Sequence, residues 1–255
     1  RRPVAVPSAV ARAAAVPNVT TAAAGVTAPH GYRVERLRPI AADEFDVDGE
    51  GHVAVRTGAT VRDLADGAAL SEAVKSFAFA AGELDLITAS GELGYLDASG
   101  VKTVGPVPFE AARLRAGDDG ADLFFLRDQP PYTLGAMDAS GTVRALAALP
   151  APVDAVAGTA AHHVFSIGPD LYAQAGSEEP QLVLHLPERD QLIVGLAMPN
   201  AETLYFATHR GVYAVRGSLA MPLMLGFGGP LRVAGKTLTV LNEGDRTLYR
   251  LVAPA

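Results

Sequence analysis

The sequence predicts an all-β fold, a six-bladed β-propeller closed by an N-terminal strand, on three observations. First, Tyr95-Leu96-Asp97-Ala98-Ser99-Gly100 is answered forty-one residues later by Ala136-Met137-Asp138-Ala139-Ser140-Gly141. Self-similarity at a period of about 40 residues marks a propeller blade. Second, from Tyr32 onward short apolar runs alternate with Gly, Asp, Pro and Ser clusters, the pattern of strands joined by tight turns. Third, the positions Leu64, Tyr95, Ala136, Tyr172, Tyr213 and Tyr249 recur at spacings of 31, 41, 36, 41 and 36 residues, which gives six units.

Taken in order, residues 1–31 read as an extended Pro/Ala-rich segment, either a tether or a partner-binding arm. Pro3, Pro7, Pro17 and Pro29 punctuate it and block regular ladders. Residues 32–255 form the propeller. Tyr32 to Leu37 is a lone alternating strand, expected as the outer member of the sixth blade, where it removes an unpaired edge. Inner strands are expected around Phe45–Val47, Phe77–Phe79, Ala112–Leu114, Val153–Val156, Leu192–Gly195 and Leu231–Val233. Each precedes a more apolar run: His52–Val55, Leu84–Ile87, Leu123–Leu126, His163–Ile167, Leu204–Ala207 and Leu238–Leu241. That apolar density suits a middle strand covered on both faces by neighbouring blades. Third strands follow around the six recurring positions.

The 255 residues suffice for one large β domain. A net charge of −7 argues against a nucleic-acid groove or a polybasic membrane patch. Cysteine is absent, which removes disulfides, thiolate metal sites and cysteine nucleophiles together. No apolar run approaches the 18 or so residues of a membrane span.

The run Ala42-Asp43-Glu44-Phe45-Asp46-Val47-Asp48-Gly49-Glu50-Gly51-His52-Val53-Ala54-Val55 resembles the blade pattern of NHL-repeat propellers, in which an apolar–Val–Asp–x–x–Gly–x–apolar run links inner to middle strand. Asn242-Glu243-Gly244-Asp245-Arg246-Thr247-Leu248-Tyr249 is similar to the turn that follows in the same family. The resemblance implies the architecture. Propellers related to gluconolactonase share this blade style and use an acidic, amide-rich metal site in the central pocket. This chain has no clear counterpart of their opening Glu-Gly-Pro, so the activity does not carry over from the motif.

Residue by residue, catalytic chemistry is hard to find. Asp46-Val47-Asp48-Gly49-Glu50-Gly51 imitates a calcium loop, but the twelfth position is Thr57 where a bidentate Glu is needed. It reads as a strand-to-strand turn, as do the two Asp-Ala-Ser-Gly stretches, with Asp holding turn amides and Gly supplying a positive φ. The six histidines do not converge: His162 and His163 point to opposite faces of one strand. No Gly-x-Ser-x-Gly elbow exists, and Gly226-Phe227-Gly228-Gly229-Pro230 lacks the Lys of a phosphate loop. It reads as a tight connection into the last blade. No catalytic residue, metal ligand or cofactor is therefore expected.

What remains is the set of turns between the middle two strands of each blade, which gather on one face. They carry the candidate binding residues Arg56, Arg127, Asp128, Tyr132, Asp170, His209, Arg210, Asn242, Asp245 and Arg246. The expected function is a non-enzymatic scaffold contacting other protein subunits in a periplasmic or extracellular assembly, with a cytoplasmic setting left open. Two alternatives stand beside it. One is a metal-dependent enzyme of the lactonase or hydrolase type with its site in the central channel, and the other is a sensor of a small ligand held there.

Overall fold

The computed structural model describes residues 12–13, 19–23, 26–38, 40–187, 191–216, 219–235 and 237–253. These form six sheets, antiparallel but for one added two-residue strand, arranged as a propeller. Blade one contains Glu44–Val47, Val53–Thr57, Thr60–Asp63 and Ala69–Ser71 from the centre outward, and blade two contains Val74–Ala80, Glu83–Thr88, Glu92–Asp97 and Gly100–Pro106. Blades three and four begin at Arg113–Ala116 and Ala155–Gly158 and repeat the pattern. Blade five begins at Gly195–Asn200. Blade six is built from Leu231–Ala234, Thr237–Asn242, Thr247–Val252 and, as its outer strand, Arg33–Arg36. That last pairing sets Tyr249 against Arg36 and Val252 against Arg33, so the expected closure by an N-terminal strand is present.

The core is a ring of layers between blades. One cluster packs Ala54 and Val61 of blade one against Phe77 and Leu86 of blade two. The next joins Ala78 and Ile87 to Leu114 and Phe125, and a third joins Phe124 and Leu134 to Val156 and Phe165. The series ends with Leu241 and Leu248 of blade six against Phe45 and Val55 of blade one. Middle strands lie between two such layers. Leu123, Phe124 and Phe125 are successive and all fully buried, which is why these strands lack the polar alternation of a one-sided sheet.

Two readings shift. The inner strand of blade five is Gly195–Asn200, three residues beyond its expected start. Ile193, fully buried, belongs to the connection, which bonds its own amide to the Gly168 carbonyl. In the N-terminal segment, Val26–Pro29 joins blade five through Thr27 and Leu225 and buries Val26 and Ala28. Val19–Ala23 pairs with it, and Arg12–Ala13 runs parallel to Leu219–Ala220. The expected extension thus lies along this chain's own blade over these residues. Positions 1–11, 14–18 and 24–25 of it fall outside the described residues.

The connection into blade six explains its glycines. A Cβ on Gly228 would overlap the Thr208 carbonyl, and one on Gly229 the Leu241 carbonyl. Only glycine lets the chain cross there. At the turns, Asp97 accepts from the Ser99 amide and hydroxyl, and Asp138 does the same for Ser140 while also holding the Thr142 amide. Gly100 and Gly141 carry the positive φ. Among the described residues no helix is long and apolar enough to cross a membrane.

Candidate functional site at the propeller mouth

Six inner strands enter the centre of the ring from the same end. At that end Glu44, Arg113, Ala155, Gly195 and Leu231 open their strands and Ser76 is the third residue of its own; they are registered against Arg56, Leu126, Ser166, Ala207, Val240 and Ile87 of the middle strands. A cavity of about 480 Å³ opens there. Asp43, Glu44, Arg56, Lys75, Arg113, Asp128, Asp154 and Glu243 line it, so charge of both signs surrounds a space of small-ligand size. Arg115 makes the floor. Its guanidinium reaches from blade three across the axis to the carbonyls of Leu196 and Leu231 in blades five and six. A through-channel thereby becomes a cup.

Glu44 is an acid of the wall held from two sides. Its Oε1 accepts from the Ser76 hydroxyl at 2.5 Å and its Oε2 from Arg56 Nε at 2.9 Å. Ser76 in turn accepts from the Leu114 amide at 3.0 Å, which ties three blades together. Burial pushes the Glu44 carboxyl above the usual carboxylate range, against the opposing pull of Ser76 and Arg56. The group still exposes 19% of its side chain to the cup, enough to meet a ligand. Opposite, Arg113 grips Asp128 through two bonds of 2.8 and 2.7 Å and also donates to the Val153 carbonyl. Asp154 accepts from the Gly168 amide at 2.6 Å, and burial raises its pKa.

Below the cup the channel wall is sealed by polar contacts. Asp46 pairs with Arg232 and accepts from the Phe79 amide at 2.7 Å. Asp118 accepts from the amides of Gly158 and Met198 at 2.8 and 2.7 Å. Burial raises Asp118 to about 6 despite those two bonds.

Of the residues expected at this face, Arg56 and Asp128 line the cavity. Two others bond to lining residues: His209 Nδ1 lies 3.2 Å from Glu243, and Arg246 donates to Asp43 at 2.5 Å. The rest serve elsewhere on the same end. Arg127 pairs with Glu110 at 2.7 Å, and Asp170 with His185 at 2.6 Å. Tyr132 opens the third strand of blade three. The backbone amide of Arg210 donates to Thr208, Asn242 accepts from the Gly244 amide, and Asp245 holds the Thr247 amide and the Tyr249 hydroxyl. Missed by the sequence reading were Glu44, Lys75, Arg113, Arg115 and Asp154. Their signal was a charge in or beside an otherwise apolar inner strand, the strand that lies against the axis.

A metal bound by carboxylates does not fit this donor set. Glu44, Asp128 and Asp43 are each held by a guanidinium, and no three His, Asp or Glu among the described residues converge as ligands would.

No protein-family model and no curated protein matches the chain. Solved structures do. A gluconolactonase from Xanthomonas campestris is 17% identical with a TM-score of 0.69, covering 96% of this chain and 97% of its own. A presumptive gluconolactonase is 14% identical with a TM-score of 0.62, covering 88% of this chain and 93% of its own. The WD40 repeats of RRP9 are 13% identical with a TM-score of 0.56, covering 82% and 79%. These likenesses correct the expectation of a non-enzymatic scaffold: neighbours that bear the name gluconolactonase favour the enzyme alternative over it. That expectation rested on missing linear motifs, and a site assembled around an axis needs none. The chain is a six-bladed β-propeller of NHL-like architecture, with gluconolactonase and WD40 propellers among its structural neighbours.

Proposed function

We propose that this propeller is a hydrolase of the lactonase type acting in the mouth cup, with Glu44 as general base. The observation that carries the reading is Glu44 itself: a carboxylate with a raised pKa, fixed by Ser76 and Arg56, at the edge of a cavity of about 480 Å³. A general base gains from a pKa lifted toward the working pH. Glu44 takes a proton from water as the water oxygen bonds to the lactone carbonyl carbon. The ring C–O bond then breaks, and the proton passes to the departing alkoxide. The Lys75 ammonium at the cup faces the charge that develops on the carbonyl oxygen. A hydroxy-acid lactone suits a wall of mixed charge, and its open carboxylate product suits Lys75. Similarity to gluconolactonase propellers supports the same class.

The test is hydrolysis of a panel of γ- and δ-lactones of sugar acids by the purified chain, followed by pH-stat titration with and without a chelator. Turnover that survives chelation is expected. Absence of turnover across the panel, or complete loss on chelation with recovery on added metal, overturns the reading.

A further inference from the structure

At the opposite end of the barrel from the cup, a second cavity of about 310 Å³ lies between blades six and one. Arg250 stands in it. Its Cα is registered against Thr239 on one side and Glu35 on the other, and Thr239 is registered against Arg232. Cross-strand partners share a sheet face, so Arg232, Thr239, Arg250 and Glu35 make one polar row on a single face of blade six. Across from that row, Asp46 of blade one is taken by Arg232. Glu35 is taken by Arg33 at 2.7 Å.

Arg250 is thus left over. Its Nε is sealed from water without a hydrogen-bond partner, and its guanidinium makes no ion pair among the described residues. A buried donor on a charged group left unmade is costly. The surroundings are suited to a negative guest. Thr237 and Thr239 line the cavity, and the glycine turn Gly49-Glu50-Gly51 forms its lip. A Cβ added at Gly49 or Gly51 would meet nothing within 4 Å, so the lip is open. Glu50, the one carboxylate among the described lining residues, is 84% exposed and leans toward His52 at 3.8 Å.

The geometry points to an oxyanion site: Arg250, with Thr237 and Thr239, binds a small phosphate- or carboxylate-bearing ligand between blades six and one. A planar guanidinium fork matches either group through paired bonds. The site is separate from the mouth cup and does not depend on the chemistry assigned there.

Inorganic phosphate and malonate, titrated calorimetrically into the full chain, are the two probes. Saturable binding of at least one is expected, weakened at least about tenfold in Arg250→Gln and weakened also in Thr239→Val. The Thr239 variant keeps shape and removes only a hydroxyl, so it tests the site even if Arg250→Gln fails to fold. The relative affinity of the two probes tells phosphate from carboxylate ligands. No saturable binding of either anion, or binding unchanged in both variants, overturns the proposal.

Discussion

Asp46 and Arg232, 186 positions apart in the chain, form a buried ion pair that ties the inner strand of blade one to that of blade six. Asp46 is fully buried and Arg232 nearly so, and the aspartate also holds the Phe79 amide of blade two. Removing one partner strands the other charge out of water. Asp46→Ala is therefore expected to cost about 3–5 kcal/mol in urea unfolding. Asp46→Leu with Arg232→Met, which removes both charges, should recover much of that loss. A single variant within about 0.5 kcal/mol of the parent would mean the pair does not hold the ring.

For the mouth, Glu44→Gln is expected to lower kcat by about 10²- to 10⁴-fold on a lactone substrate, with KM little changed. The parent enzyme should lose activity as pH falls, because a base must be deprotonated to act. Burial raises the Glu44 pKa, so that acid limb should sit above the usual carboxylate range. An unchanged rate in the Gln variant would remove Glu44 from the chemistry.

Asp118 gives a pH dependence with a definite sign. Its folded pKa, about 6, lies above the ordinary 3.8, so the folded state holds the proton more tightly. The stabilisation is complete below about pH 4 and is lost as pH rises through 6, on the order of 3 kcal/mol in all. Asp118→Asn keeps an acceptor for Gly158 and Met198 without the charge. Its Tm should exceed the parent's at pH 7.5 and converge with it at pH 4; a constant offset across that range contradicts the account.

Gly229→Ala forces a methyl into the Leu241 carbonyl. Overpacking of this kind costs about 1–3 kcal/mol, read as a lower urea midpoint. The same change at Gly49, which faces open space, should move the midpoint far less.

The added strand of blade five can be tested at Ala28, which is fully buried in the layer between blades five and six. Ala28→Asp places a carboxylate there without a partner, and a loss of about 3 kcal/mol or more is expected. An unaltered midpoint would mean that Val26–Pro29 is not docked.

The blades were legible because a hairpin writes its own signature. Asp97 to Gly100 and Asp138 to Gly141 announce turns through residues only two or three apart, and apolar runs such as Leu123–Leu126 announce strands covered twice. Blade five shows the limit: Leu192-Ile193-Val194 is as apolar as a strand, yet packs as a connection. The cup was not legible for a related reason. Glu44 meets Ser76 across 32 residues, and Arg115 meets Leu231 across 116. Such partners are set by rotation about an axis, and no local spacing encodes that. Arg56 and Asp128 were found because turns advertise polarity. Arg113 and Glu44 were passed over because an inner strand conceals it.

Blade six draws its outer strand, Arg33–Arg36, from near one end of the chain and its neighbour, Thr247–Val252, from near the other. During synthesis the first of these segments leaves the ribosome more than two hundred residues ahead of its partner. Until Leu251 emerges, the growing protein is an open crescent with bare edges, and those edges can pair with another molecule. Ring closure is therefore a step that waits for this segment. Joining the two segments by a short linker and cutting a turn elsewhere would move that step to an earlier moment and shorten the exposed interval.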